Sequence, residues 1–235
     1  MAYRRILLKL SGEAFAGPDK AGINGETVRS IAMEVKKAWD TGVQIGIVIG
    51  AGNLVRGATA QGQGIDRTDG DYMGMLGTVM NSMAMQAALT NLGAPAVVQS
   101  SITMNQVCEP FVKRKAVRHM EKGRIVLFGG GTGNPFFTTD TAAALKALEI
   151  GAEALFKATN VDGVYTADPK KDPSAVKFDS ISCAEALEKG LKVMDSTAFS
   201  MCRDHRLPII VFDIRGEDNI KNAALGKKVG TFVGE

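Results

Sequence analysis

The chain has 235 residues, 45% hydrophobic and 23% charged, which suits one large α/β domain or two small ones with ample material for a core. A net charge of +3 gives no argument for nucleic acid or an anionic membrane as a partner. Cys108, Cys183 and Cys202 are scattered without metal-ligand spacing, so neither a disulfide framework nor a zinc site is expected.

Arg4-Arg5-Ile6-Leu7-Leu8-Lys9-Leu10 reads as a buried strand that runs straight into Ser11-Gly12-Glu13. Lys9 interrupts the apolar run, which is far too short for a signal peptide or a membrane span, and the chain is expected in the cytoplasm. A lysine in so apolar a setting either reaches for solvent or meets an anion; the Ser-Gly turn beside it keeps both readings open. Residues 17–25 form a glycine-bearing loop. Asn24 then offers an N-cap, and Val28, Ile31, Ala32, Val35, Ala38 and Trp39 share one face of a helix that stops at Thr41-Gly42.

Residues 43–49 make a second strand, followed by Gly50-Ala51-Gly52-Asn53-Leu54-Val55-Arg56-Gly57. Val55 occupies the third glycine position of a dinucleotide fingerprint, and no Gly-x-x-x-x-Gly-Lys-Ser/Thr motif occurs. The planar fork of Arg56 suits a phosphate. After a polar stretch, 58–69, Gly70-Asp71-Tyr72 leads into a long helix reaching about Asn91. Its many methionines point to adaptable core or, preferably, a subunit interface. Asp71 either caps that helix or, in a nucleotide enzyme, accepts hydrogen bonds from ribose hydroxyls. A short strand over 94–98 and a helix over 105–121 with a basic outer face come next.

The richest stretch is Ile125-Val126-Leu127-Phe128, three glycines, then Thr132-Gly133-Asn134-Pro135-Phe136-Phe137-Thr138-Thr139-Asp140 before an alanine-rich helix over 141–150. Strand, glycine loop and helix N-terminus together present amides and a positive dipole end to one anion, with Thr132, Thr138 and Thr139 as further donors. The plainer reading is a tight turn with Thr139 or Asp140 as the cap. In a parallel sheet both glycine loops reach the same carboxyl edge. A strand over 152–160 carries Lys157, echoing Lys9, and Asp162-Gly163 gives residues 161–169 hairpin chemistry. Helices over 182–190 and 194–205, a strand over 207–212, a short helix over 219–225 and a strand over 230–233 complete an alternating α/β pattern in one mainly parallel sheet. His119 and His205 lie beside basic residues on helical stretches and read as surface or packing residues, not as a catalytic base.

Lys9-Leu10-Ser11-Gly12, Gly50-Ala51-Gly52-Asn53 with Arg56-Gly57, Gly70-Asp71-Tyr72-Met73-Gly74-Met75, the run from Thr132 to Asp140, and Lys157-Ala158-Thr159 with Val161-Asp162-Gly163-Val164-Tyr165 and Asp168-Pro169 stand in that order along essentially the whole chain. In this the chain resembles the bacterial uridylate (UMP) kinases of the amino acid kinase superfamily. The resemblance implies a single three-layer αβα sandwich over residues 1–235 and transfer of the γ-phosphoryl of ATP to UMP, with Mg2+ bound mainly through nucleotide phosphates. It also implies that Lys9, Leu10, Ser11, Gly12, Gly52 and Arg56 meet the ATP phosphates or the transferring group. Thr159, Tyr165 and Asp168 would line the adenine nucleotide site, and Asp71 would hold the UMP ribose. Thr132, Gly133, Asn134, Pro135, Phe136, Phe137, Thr138 and Thr139 would cradle the UMP phosphate. Lys157 and Asp140 are added for charge neutralisation and for orienting the lysines or the metal. Ala51 stands where the family pattern usually has glycine, and would serve UMP through its backbone N–H alone. The family implies a homohexamer with UTP as inhibitor and GTP as activator; residues 83–98 carry no basic side chain, which argues against GTP activation here. An amino acid or carbamate kinase, a non-catalytic nucleotide sensor and a nicotinamide oxidoreductase are the rival readings.

Overall fold

Runs of apolar residues short enough for strands and buried on both faces make the centre of the molecule, as parallel sheets require. The computed structural model describes residues 2–55, 64–169, 171–191 and 193–235, so Arg56 lies outside the described residues. Among these, nine strands form one sheet: β1 (Arg5–Leu10), β2 (Gln44–Ile49), β3 (Ala96–Ser100), β4 (Glu109–Pro110), β5 (Ile125–Gly129), β6 (Ala154–Thr159), β7 (Ser180–Ile181), β8 (Ile209–Asp213) and β9 (Thr231–Val233). Their order is β4-β3-β5-β2-β1-β6-β8-β9-β7, and every pairing is parallel except β8 with β9.

Helices cover both faces. On one lie α1 (Gly25–Trp39), α2 (Arg67–Asn91) and α7 (Asn219–Ala224), packed on Ile6, Leu8, Ile47, Phe156 and Phe212. On the other lie α3 (Lys113–Glu121), α4 (Thr139–Ile150), α5 (Cys183–Glu188) and α6 (Ser196–Asp204), packed on Leu7, Val48, Phe128, Leu155 and Val211. This is the three-layer αβα sandwich expected from the sequence. Alternation along β1 sends Ile6, Leu8 and Leu10 to the first face, leaving Lys9 on the second with Leu7. Small residues let α4 come close: Ala143, Ala144 and Ala147 are fully buried against the sheet. No helix among the described residues is long and apolar enough to cross a membrane.

Four local expectations need correction. The helix expected over 105–121 begins only at Lys113, because Pro110 holds its predecessor extended and Glu109–Pro110 pairs with β3 instead. The Asp162-Gly163 pair does not close a hairpin. Strand-like contact there joins Val164 and Thr166 to Phe178 and Val176 across a much longer loop, with one bridge at Tyr165–Lys177. Helix α2 starts at Arg67, capped by Asp66 through Thr68 N–H at 3.0 Å, so Asp71 sits a turn inside it and caps nothing. The α4 cap is Thr138, neither Thr139 nor Asp140.

Phe156 meets the rings of Tyr3 and Phe212 edge-on at 5.6 and 6.0 Å in the middle of the first face. Phe156→Ala should therefore lower the unfolding free energy by about 3–5 kcal/mol in urea titrations; a loss under about 1 kcal/mol would mean that the site collapses freely.

Candidate active site

Because β1, β2, β5 and β6 run parallel, their carboxyl ends open on one edge, where the loops after Leu10, Ile49 and Gly129 converge. The first two touch: Gly50 N–H donates to the Leu10 carbonyl at 3.0 Å. Any side chain at Gly12 would strike the Gly50 carbonyl, which is why that position needs glycine. The third loop holds Gly130, Gly131, Gly133 and Phe136 at φ of 75, 55, 80 and 70°, so its path is left-handed at four points.

Lys9 and Lys157 are register partners on adjacent strands, and both point to the α4 side of the sheet. Asp140, in the first turn of α4, lies between them. Lys157 Nζ donates to Asp140 Oδ2 at 2.7 Å and to the Val193 carbonyl at 2.6 Å. Lys9 Nζ stands 2.9 Å from Oδ1 as an ion pair without hydrogen-bond alignment. All three side chains are mostly buried. Burial alone would raise the Asp140 carboxyl; the Lys9 and Lys157 ammonium groups outweigh it and hold the group below its ordinary value. Burial pushes Lys157 below the usual lysine value, Lys9 adds to that, and Asp140 opposes it. The centre is a compact ion cluster in which two ammonium groups share the Asp140 carboxylate, with the Asp195 carboxylate acting on Lys157 from beyond.

A second tie rigidifies this corner. The Thr138 hydroxyl accepts from Asp140 N–H and Thr141 N–H at 3.1 and 3.3 Å, and donates its own proton to Asp195. Asp195 also accepts from Thr141 Oγ1 at 3.1 Å and caps α6 through Ala198 N–H at 3.0 Å. The Thr138 side chain is thus committed to the protein and not offered to an anion. Asp195 was legible only as the start of a helix; its grip on α4 spans 57 residues of sequence, and no spacing rule reveals it.

Beside this cluster a cavity of about 150 Å³ lies between α2 and the two glycine loops, with Ala51, Gly52, Asp71, Thr132, Thr138 and Thr139 in its wall. Asp71 Oδ2 accepts from Phe136 N–H at 2.7 Å and pairs with Arg67 at 2.9 Å, tying α2 to the third loop. Thr78 Oγ1, farther along α2, accepts from Gly130 N–H at 2.8 Å. Thr132 Oγ1 is turned onto Asn134 within its own loop, while Phe136 is 68% exposed and stacks near Arg67. Thr159 Oγ1 bonds locally to Val161, and Tyr165 donates to Asp162 at 2.6 Å beside Lys177. The Asp168 carbonyl starts a turn by accepting from Lys171 and Asp172. Thr159 thus closes β6, two residues beyond Lys157, and Tyr165 and Asp168 lie on the segment that follows it. Larger hollows of about 650 and 230 Å³ lie by α1 and by α7; unlike the smaller cavity, neither has the second or third glycine loop in its wall.

The depressed Asp140 value has a signed consequence. Its contribution to stability is present above the ordinary value of 3.8 and is lost as pH falls through the lower folded value. Replacing it with Asn removes that component. In urea titrations across pH, the gap between wild type and Asp140→Asn should be widest near neutrality and shrink below about 3.8. A gap independent of pH would contradict the ion cluster.

The amino acid kinase family model matches residues 4–213. Among solved structures, UMP kinase from Bacillus anthracis superposes with a TM-score of 0.96 at 38% identity, over 100% of this chain and 97% of its own. UMP kinase from Ureaplasma parvum gives 0.93 at 33% identity with both chains fully covered. Uridylate kinase from Archaeoglobus fulgidus gives 0.74 at 29% identity, over 99% of this chain and all of its own. With the family model matched over residues 4–213 and the fold superposed over the whole chain, the chain belongs to the amino acid kinase family and, within it, groups with the UMP kinases.

Proposed function

We propose that the protein transfers the γ-phosphoryl group of ATP to UMP, giving UDP and ADP, as one amino acid kinase-like domain over residues 1–235. The observation that carries this reading is the Lys9–Asp140–Lys157 cluster at the junction of the two glycine loops. Phosphoryl transfer requires two anionic substrates held in line and the spread charge neutralised, more than it requires a base. Lys9 and Lys157 neutralise the transferring group, while Asp140 fixes their separation and opposes the effect of burial on Lys157. The backbone from Leu10 to Gly12 and at Gly52 supplies amides to the donor phosphates, with Arg56 as a further cation. Thr159, Tyr165 and Asp168 receive the adenine nucleotide on the segment after β6.

The acceptor fits the cavity on the α2 side. Asp71 offers a carboxylate to ribose hydroxyls, and the backbone of residues 132–139 surrounds the phosphate. UMP as acceptor is supported by the activity named for the Bacillus anthracis and Ureaplasma parvum relatives. Mg2+ is bound mainly through the nucleotide phosphates, as Asp140 is engaged by two lysines. When bound through the phosphates, Mg2+ supplies Lewis-acid charge neutralisation. The exposed apolar stripe of α2, Tyr72, Met73, Leu76, Met80 and Met83, suits assembly into a homohexamer. UTP acts as inhibitor, GTP does not activate, and the enzyme works in the cytoplasm.

A coupled assay with ATP and Mg2+ should show ADP release with UMP and none with carbamate or acetylglutamate. Turnover of those acceptors without UMP would overturn the substrate. Lys9→Ala should lower kcat by about a hundredfold or more while changing the KM for ATP far less; an unchanged kcat would remove Lys9 from the chemistry. Initial rates titrated with GTP should stay flat, and a rise would overturn that part of the reading.

A further inference from the structure

Among the small and polar residues on the inner face of α2, two meet the second glycine loop. Gly77 and Asn81 are one turn apart and both meet the Gly50–Asn53 loop. Asn81 is fully buried. Its amide donates to the Gly50 carbonyl at 2.7 Å and to Asn53 Oδ1 at 2.8 Å. Asn53 returns a bond to Asn81 Oδ1 at 3.1 Å and a second to the Gly22 carbonyl at 2.7 Å. Two side-chain amides are thus buried against each other, and what they hold are the peptide carbonyls of Gly22 and Gly50.

The Gly50 peptide matters through its planarity. The carbonyl of Gly50 and the N–H of Ala51 belong to one rigid trans unit and point in opposite directions. Anchoring the carbonyl on Asn81 therefore turns the Ala51 N–H away from α2. The N–H makes no hydrogen bond among the described residues, although Ala51 is only 8% exposed and lies in the cavity wall with Asp71 and Thr139. An unpaired amide at so covered a position is costly unless a ligand oxygen completes it. Gly77 sets the depth of the same loop. A methyl group there would lie 2.8 Å from the Ala51 Cβ, so the space between helix and loop holds one methyl and no more.

We propose that Asn81 and Gly77 are positioning residues that aim the Ala51 N–H at the phosphate of the acceptor nucleotide. This rests on the acceptor reading given above and adds to it the device that orients the loop. Steady-state kinetics of Asn81→Ala, Gly77→Ala and the double variant Ala51→Gly/Gly77→Ala test it, with UMP and ATP varied separately. Losing one amide-to-phosphate bond should raise the KM for UMP by about tenfold or more in each single variant, with the KM for ATP within about threefold of wild type. The double variant restores a single methyl and should recover UMP affinity to within about threefold of wild type. A general loss of structure would move both substrates together, whereas misdirection of the Ala51 N–H moves UMP alone.

An unchanged KM for UMP in active Asn81→Ala, an equal loss for both substrates, or failure of Ala51→Gly to rescue Gly77→Ala would each overturn the proposal. Should Asn81→Ala fail to fold, the Gly77 pair decides alone. Should wild type phosphorylate some other acceptor and not UMP, the substrate reading falls, and the same variants judge the positioning role on that acceptor.

Discussion

Two lysines directly opposite one another on neighbouring strands, on the same buried face, would by themselves weaken the sheet. Lys9 and Lys157 are tolerated there because Asp140 lies between them, held by a helix whose start is fixed by Thr138 and Asp195. The Asp140 carboxylate is shared by both ammonium groups, and Asp195 adds a further attraction for Lys157. On the proposed reading a phosphoryl group in transfer brings further negative charge to this edge, so that the stability of the sheet and the affinity for substrate would draw on the same ion cluster.

Helix α2 is the second organising element. Asp71, Thr78 and Asn81 lie along it, and they hold, in turn, Phe136 of the third loop, Gly130 at its base, and Gly50 with Asn53 of the second loop. The second and third glycine loops therefore take their position from one helix. The opposite face of that helix exposes Tyr72, Met73, Leu76, Met80 and Met83, so anything that covers this stripe bears on the element that sets the loops.

Much of this was legible in the sequence, and for physical reasons. Apolar runs ending in glycine gave the strands and their functional edge, and lysines inside such runs were conspicuous because buried charge needs a partner. Asn24 and Thr41-Gly42 bracketed α1 correctly because capping is local. Long-range register was not legible. Nothing in the spacing says that Lys9 and Lys157 share a rung, or that Asp195 reaches Thr138. Helix 105–121 and the Asp-Gly hairpin failed where tertiary pairing overrode local chemistry, through Pro110 on an edge strand and through Thr231, whose hydroxyl accepts from Val164 N–H at 2.8 Å. Thr78 and Asn81 stand among several polar residues of a methionine-rich helix, and nothing in the sequence sets them apart from Ser82 or Gln86. Their meaning depended on what lay opposite.

The most direct measurement is a double-mutant cycle on kcat between Asp140 and Lys157, with Lys9 intact. If the three side chains act as one unit, Asp140→Ala/Lys157→Ala will be little slower than the worse single variant, because removing either partner already disorganises the cluster. Losses that multiply independently would show that the two residues act separately, and that the ion cluster is not the centre of the site.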